Sequence, residues 1–119
     1  METIFIEYPA CSTCKKAKKY LKDHDLPFTD RHIVEDTPSV EELSVWWKRS
    51  GLELKKWFNT SGMVYKELQL KDKLKDMSEE DQLQLLSSNG MLIKRPILVT
   101  EDTVYVGFKE ENYKKLCSE

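Results

Sequence analysis

The sequence predicts an α/β domain on a four-stranded mixed sheet, with a helical segment inserted between the two halves of the sheet. Three observations predict it. A strand–helix–strand pattern opens the chain, helical periodicity fills the middle, and two short strands with a closing helix end it. Strand, helix, strand in that order is a βαβ crossover and gives a parallel pair. Two apolar runs around a short polar turn give an antiparallel hairpin. The 119 residues match the size of one domain, with sheet-forming parts at about 1–35 and 91–119 and the insertion at about 38–90.

Thr3–Tyr8 is apolar, β-branched and aromatic, and it stops at Pro9, as a buried strand does. In the next segment Cys14, Ala17 and Leu21 recur at i, i+3 and i+7 between lysines, which gives a helix with one buried face. Ser12 or a neighbour caps it, so this helix begins inside the Cys11-Ser-Thr-Cys14 motif. Pro27 precedes a second strand at Phe28–Val34. Ser39 and Glu42 form a capping box ahead of the stripe Val40, Leu43 and Trp47, which Gly51 ends. Leu54, Trp57 and Phe58 mark a shorter amphipathic turn, stopped by Asn59-Thr-Ser-Gly62. Ser78 with Asp81 caps a helix through Leu83 and Leu86 that Gly90 is expected to end. Ile97–Thr100 and Val104–Phe108 flank the turn Glu101–Thr103, and Tyr113, Leu116 and Cys117 supply the apolar face of a closing helix. Trp46, Trp47, Trp57 and Tyr65 are expected in the core rather than in a ligand platform.

With 19 Lys and Arg against 21 Asp and Glu the net charge is −2, which gives no global attraction to nucleic acid or to an anionic membrane. No run approaches the roughly 20 apolar residues of a membrane span, and the first residues do not read as a secretory signal. Three cysteines are too few and odd in number for a secreted disulfide framework. The expected setting is a reducing cytoplasm.

The functional information concentrates in the Cys-x-x-Cys. Such a pair at the first strand-to-helix junction of a βαβ unit reads as a thioredoxin-like redox motif. The i, i+3 spacing puts Cys11 and Cys14 on one side of the first helical turn, within reach of a disulfide. Unpaired N–H groups at the helix start favour a thiolate at Cys11, and Lys15 and Lys16 add positive charge. At a pKa near 8.5 about 3% of a thiol is ionised at pH 7, against about three-quarters near 6.5. Cys11 is thus the expected nucleophile and Cys14 the resolving thiol. The competing reading is a pair of inert, buried cysteines. A zinc site would need two more ligands at matching spacing, and His24, His32 and Cys117 are isolated. No metal or cofactor is expected.

Lys94-Arg95-Pro96 precedes the strand at Ile97, where a proline suits a strand's first residue. Arg95 offers a fork of donors to an oxyanion or carboxylate. Lys94, Lys15, Asn59 and Pro96 complete the expected substrate-binding set around Cys11, Cys14 and Arg95.

Tyr8-Pro-Ala-Cys-Ser-Thr-Cys14, Phe58-Asn-Thr-Ser-Gly62, Tyr65-Lys-Glu-Leu68, Leu92-Ile-Lys-Arg-Pro-Ile97 and Val106-Gly107-Phe108 stand in an order that resembles the ArsC/Spx family of thioredoxin-fold proteins. The resemblance implies a thioredoxin-like fold with an inserted helical subdomain, a cis Pro96, and Cys11 as the redox thiol beside Arg95. One branch resembles arsenate reductases coupled to glutathione and glutaredoxin, in which three arginines hold arsenate. Only Arg95 matches that set, and each missing charged hydrogen bond removes about 1.5–3 kcal/mol of oxyanion binding. Cys14 stands where such reductases often carry serine, which favours internal disulfide chemistry with glutathione, glutaredoxin or thioredoxin as reductant. The other branch resembles Spx-like regulators, whose Cys-x-x-Cys is an oxidation switch on a protein that binds the C-terminal domain of the RNA polymerase α subunit. Gly51 lies in roughly the segment such regulators use for contact. The expected function is a thiol–disulfide oxidoreductase with this dithiol, and the alternative is the regulator.

Overall fold

The alternation of β1 (Ile4–Glu7) places Phe5 on one face of a sheet and Ile6 on the other, and both are fully buried. The sheet therefore carries a core on each side. The computed structural model describes residues 3–117 apart from the side chain of Cys117, so the core position expected for that thiol lies outside the described residues. A loop joins β1 to helix α1 (Ser12–Asp23), which buries Cys14, Ala17 and Leu21 and turns its lysines outward. Strand β2 (Thr29–His32) returns parallel to β1, with Phe5 opposite Asp30. Near the chain's end, β3 (Ile97–Val99) pairs antiparallel with β1, and β4 (Val104–Val106) pairs antiparallel with β3. The order is β2-β1-β3-β4, the four-stranded mixed sheet expected of a thioredoxin-like fold.

Between the halves of the sheet lie helices α2 (Val40–Ser50), α3 (Met63–Glu67), α4 (Leu70–Lys73) and α5 (Glu79–Ser88), with α6 (Glu110–Cys117) closing the chain. The Ser39–Glu42 capping box opens α2, and the Ser78 hydroxyl accepts from the Asp81 N–H to open α5. Ile6, Ile97 and Val99 pack against Trp57, Leu43 and Leu86 of the insertion. Phe5 and Leu98 pack on the opposite face against Ala17, Leu21 and Tyr113.

Cys11, the neighbour of Ser12, is the N-cap of α1, without a side-chain cap bond. The structure differs from expectation in three places. Trp46 is the buried tryptophan of α2, whereas Trp47 is half-buried and donates from Nε1 to the Leu52 carbonyl at 2.8 Å. Gly90 does not stop α5, which ends at Ser88. It opens a short 3-10 turn, Gly90–Leu92, where a Cβ would fall 2.2 Å from the Ile33 carbonyl oxygen. The segment after Gly62, for which the sequence suggests no element, folds as α3 and α4, separated by Gln69 in the left-handed region (φ 55°).

Candidate active site

Cys11 caps α1 with extended backbone (φ −81°, ψ 122°), and its N–H donates to the Tyr8 carbonyl at 2.9 Å. This tight turn after β1 leaves the Cys11 side chain half-buried at the mouth of a cleft, while Cys14, one turn on, is fully buried. Both are free thiols.

The opposite wall comes from distant sequence. The Lys94 N–H donates to the Trp57 carbonyl at 2.8 Å, Phe58 bridges to Ile93, and the Asn59 N–H donates to the Leu92 carbonyl at 2.7 Å. This short antiparallel pairing ties the Asn59–Gly62 turn of the insertion to the segment entering β3. The Arg95–Pro96 peptide is cis, and the Pro96 carbonyl accepts from Gly107 N–H at 2.8 Å. The result is a cleft of about 360 Å³ lined by Cys11, Asn59, Ser61, Lys94, Arg95 and Lys109, among others. Four residues expected from the sequence thus meet. Lys15 is exposed on α1 and does not line this cleft, and neither does the buried Pro96.

Burial opposes ionisation of Cys11, but the Cys14 backbone N–H, the Cys14 thiol and the Arg95 guanidinium all stabilise its thiolate. The net effect lowers the Cys11 pKa from its ordinary value of 9.0. The same pair pushes Cys14 the other way. Burial dominates and, with lesser help from the hydrogen bond and charge of Cys11, raises it to about 12 against the lowering effect of the Tyr8 backbone hydrogen bond and a weaker one from Arg95. One thiol is poised to ionise and its neighbour to stay protonated.

Arg95 lies with Cζ 5.0 Å from the centre of the Tyr8 ring. Its Nε and Nη1 are buried without a hydrogen-bond partner. Buried donors are rarely left unpaired, so the guanidinium retains capacity for an anionic group entering the cleft. Sequence reasoning missed Tyr8, Ser61 and Lys109. An aromatic residue before a proline, a serine in a turn and a lone lysine after a hairpin carry no local signal of a site. Among the described residues no group of three or more His, Cys, Asp and Glu is arranged to hold a metal ion. Among the same residues no helix is long and apolar enough to cross a membrane.

The fold and site define a thioredoxin-like protein with a dithiol at its first strand-to-helix junction. The chain belongs to the ArsC family, whose model matches residues 6–116. It is similar to an ArsC family related protein of Bacteroides fragilis, with 58% identity, a TM-score of 0.95 and 98% of each chain covered. A possible arsenate reductase of Streptococcus mutans is 43% identical, with a TM-score of 0.87 over 94% of this chain and 97% of that one. Among curated relatives, the uncharacterized protein YusI of Bacillus subtilis is 53% identical over 97% of this chain and 98% of its own. The regulatory protein MgsR of the same organism is 31% identical over 94% and 87%.

Proposed function

We propose that this protein is a thiol–disulfide oxidoreductase that works through Cys11 and Cys14 in a reducing cytoplasm. The observation that carries this reading is the opposed pair: a cleft-facing thiol of lowered pKa beside a fully buried thiol raised to about 12. The Cys11 thiolate attacks one sulfur of a substrate disulfide, forms a mixed disulfide, and expels the other sulfur as a thiolate that takes a proton from water. The charge on Cys11 is then gone, and with it one of the influences that hold Cys14 protonated. Cys14 gives up its proton and attacks Cys11 Sγ, the sulfur one helical turn away. The Cys11–Cys14 disulfide closes, the second substrate thiolate leaves, and two electrons have passed to the substrate. Glutathione, glutaredoxin or thioredoxin reopens the disulfide by the same exchange. Arg95 steadies the Cys11 thiolate and orients an anionic substrate, with Asn59 and Lys94 lining the approach. Arsenate is a poor fit, because Arg95 is the one arginine among the described residues that line the cleft.

The test is trapping. Cys14→Ser protein incubated with oxidised glutathione should accumulate a stable one-to-one mixed disulfide at Cys11, visible by mass, whereas wild type should pass on to the internal disulfide. Absence of any adduct at Cys11 would overturn the reading.

A second reading, a redox-controlled regulator, is favoured by the similarity to MgsR and by the surface at Gly51. That residue ends α2 at φ 72°, and a Cβ built on it would have no atom within 4 Å. Capture of the C-terminal domain of the RNA polymerase α subunit, by the oxidised form alone and without turnover, would select it.

A further inference from the structure

A second cleft, of about 690 Å³, opens in the helical insertion. Lys55, Lys56, Lys71, Lys75 and Lys94 rim it, contributed by the Leu54–Trp57 turn, by α4 and the turn after it, and by the segment entering β3. Glu53 and Glu79 oppose them. The whole chain carries a net charge of −2, so this positive rim departs from the composition instead of reflecting it. Among the described residues, ion pairs engage Lys18, Lys19, Arg31 and His32, and none of the five rim lysines. The wall beneath is apolar: Leu54, Phe58, Tyr65 and Leu74 all line the cleft.

We infer that this cleft binds an acidic polypeptide segment that carries an apolar or aromatic anchor. Unpaired ammonium groups attract carboxylates and speed encounter with an acidic partner, while the apolar wall accepts the anchor side chain. The two glutamates interrupt the positive rim. That arrangement suits separate carboxylates better than the unbroken charge of a phosphate backbone.

Position adds a consequence. Lys94 lines both this cleft and the one at Cys11, and Thr60 of the first stands between Asn59 and Ser61 of the second. A segment held by the lysines therefore runs towards Cys11. On the thiol-exchange reading, a disulfide carried by an acidic polypeptide is delivered to Cys11 in preference to a small free disulfide, which still reaches the thiol from solution.

The experiment measures binding without chemistry. Cys11→Ser protein is titrated into a fluorescein-labelled twelve-residue peptide of glutamates around one phenylalanine, followed by anisotropy. Saturable, salt-sensitive binding is expected. The exposed pair K71E/K75E should weaken it about tenfold, and the exposed pair K48E/K114E, neither of which lines the cleft, less than about twofold. No saturable binding, or equal losses from both pairs, overturns the inference, as does a single-stranded RNA of the same length that binds more tightly. Since Cys11 is absent from the assay, failure here leaves the thiol chemistry standing, and failure of the trapping experiment leaves the binding site standing.

Discussion

At Cys11 two opposing influences meet, and the balance is set by one side chain that can be removed. Burial raises the pKa, while Cys14 and Arg95 lower it. Arg95→Ala keeps the burial and deletes a charge and a donor, so the Cys11 pKa should rise. Each unit gained lowers the thiolate fraction tenfold below the pKa, but a more basic thiolate is also about threefold more nucleophilic per unit. At a pH below both pKa values the net expectation is a fall of about threefold per unit in the rate of iodoacetamide alkylation. Above the variant's pKa the order reverses, so a pH–rate profile separates a pKa effect from damage to the fold. Cys14 supplies the complementary expectation. It is fully buried and raised to about 12, so alkylation of the native protein at pH 8 should label Cys11 and spare Cys14, as read by peptide mapping. Labelling of both at similar rates would remove the distinction between nucleophile and resolving thiol. Cys11 and Cys14 are legible in the sequence because four consecutive residues contain the whole motif and its helix start.

The elements are legible where their signals are local, and the junction of β2 with α2 shows both sides of that limit. The Ser39–Glu42 box is a four-residue pattern and forms as read, with Glu42 Oε1 accepting from the Ser39 N–H at 3.0 Å. The same carboxylate also receives both terminal nitrogens of Arg31 at 2.8 Å, a contact between elements that no local pattern announces. Arg31 holds the Glu42 carboxyl down at about 2, against burial that pushes it up. A folded-state pKa below the unfolded value of 4.5 means stability that is complete above 4.5 and is lost as pH falls towards 2. Glu42→Gln retains the capping box and removes the charge. It should destabilise by about 1 kcal/mol at pH 7, allowing for the half-exposed site, and the difference from wild type should vanish by about pH 2–3. Urea melts at several pH values measure it. Gly90 makes the opposite point, since its sequence context reads as a helix stop and its place in the fold is a close approach to the backbone of Ile33. Gly90→Ala places a methyl where the carbonyl oxygen stands 2.2 Å away, and should cost at least about 2 kcal/mol through a forced backbone shift.

Across the whole molecule, the cleft is made where the insertion meets the sheet, which is why half of it escapes a reading along the chain. Asn59 and Arg95 are brought together by pairing of 57–59 with 92–94, across more than thirty positions of sequence. Periodicity can assign a face to a helix, but it cannot say which distant turn will close a wall. The same dependence makes the architecture testable. One apolar cluster runs without a break from Ile6, Ile97 and Val104 of the sheet through Trp57, Leu43 and Leu86 of the insertion. A polar tie reinforces it: Arg49 Nη1 of α2 donates to the Thr100 carbonyl at 2.8 Å. An insertion that shares its core with the sheet has no apolar face of its own to keep when the sheet opens. Unfolding should therefore be a single cooperative transition. The three tryptophans, Trp46, Trp47 and Trp57, all lie in the insertion, so their fluorescence follows the insertion and the core it shares with the sheet. Far-UV circular dichroism reports the sheet and α1 and α6 as well. The two urea curves should coincide within error, and the midpoint should not depend on the probe. A tryptophan transition at lower urea would mean that the insertion opens first, and with it the Asn59 wall of the cleft, while the dithiol stays on a folded frame.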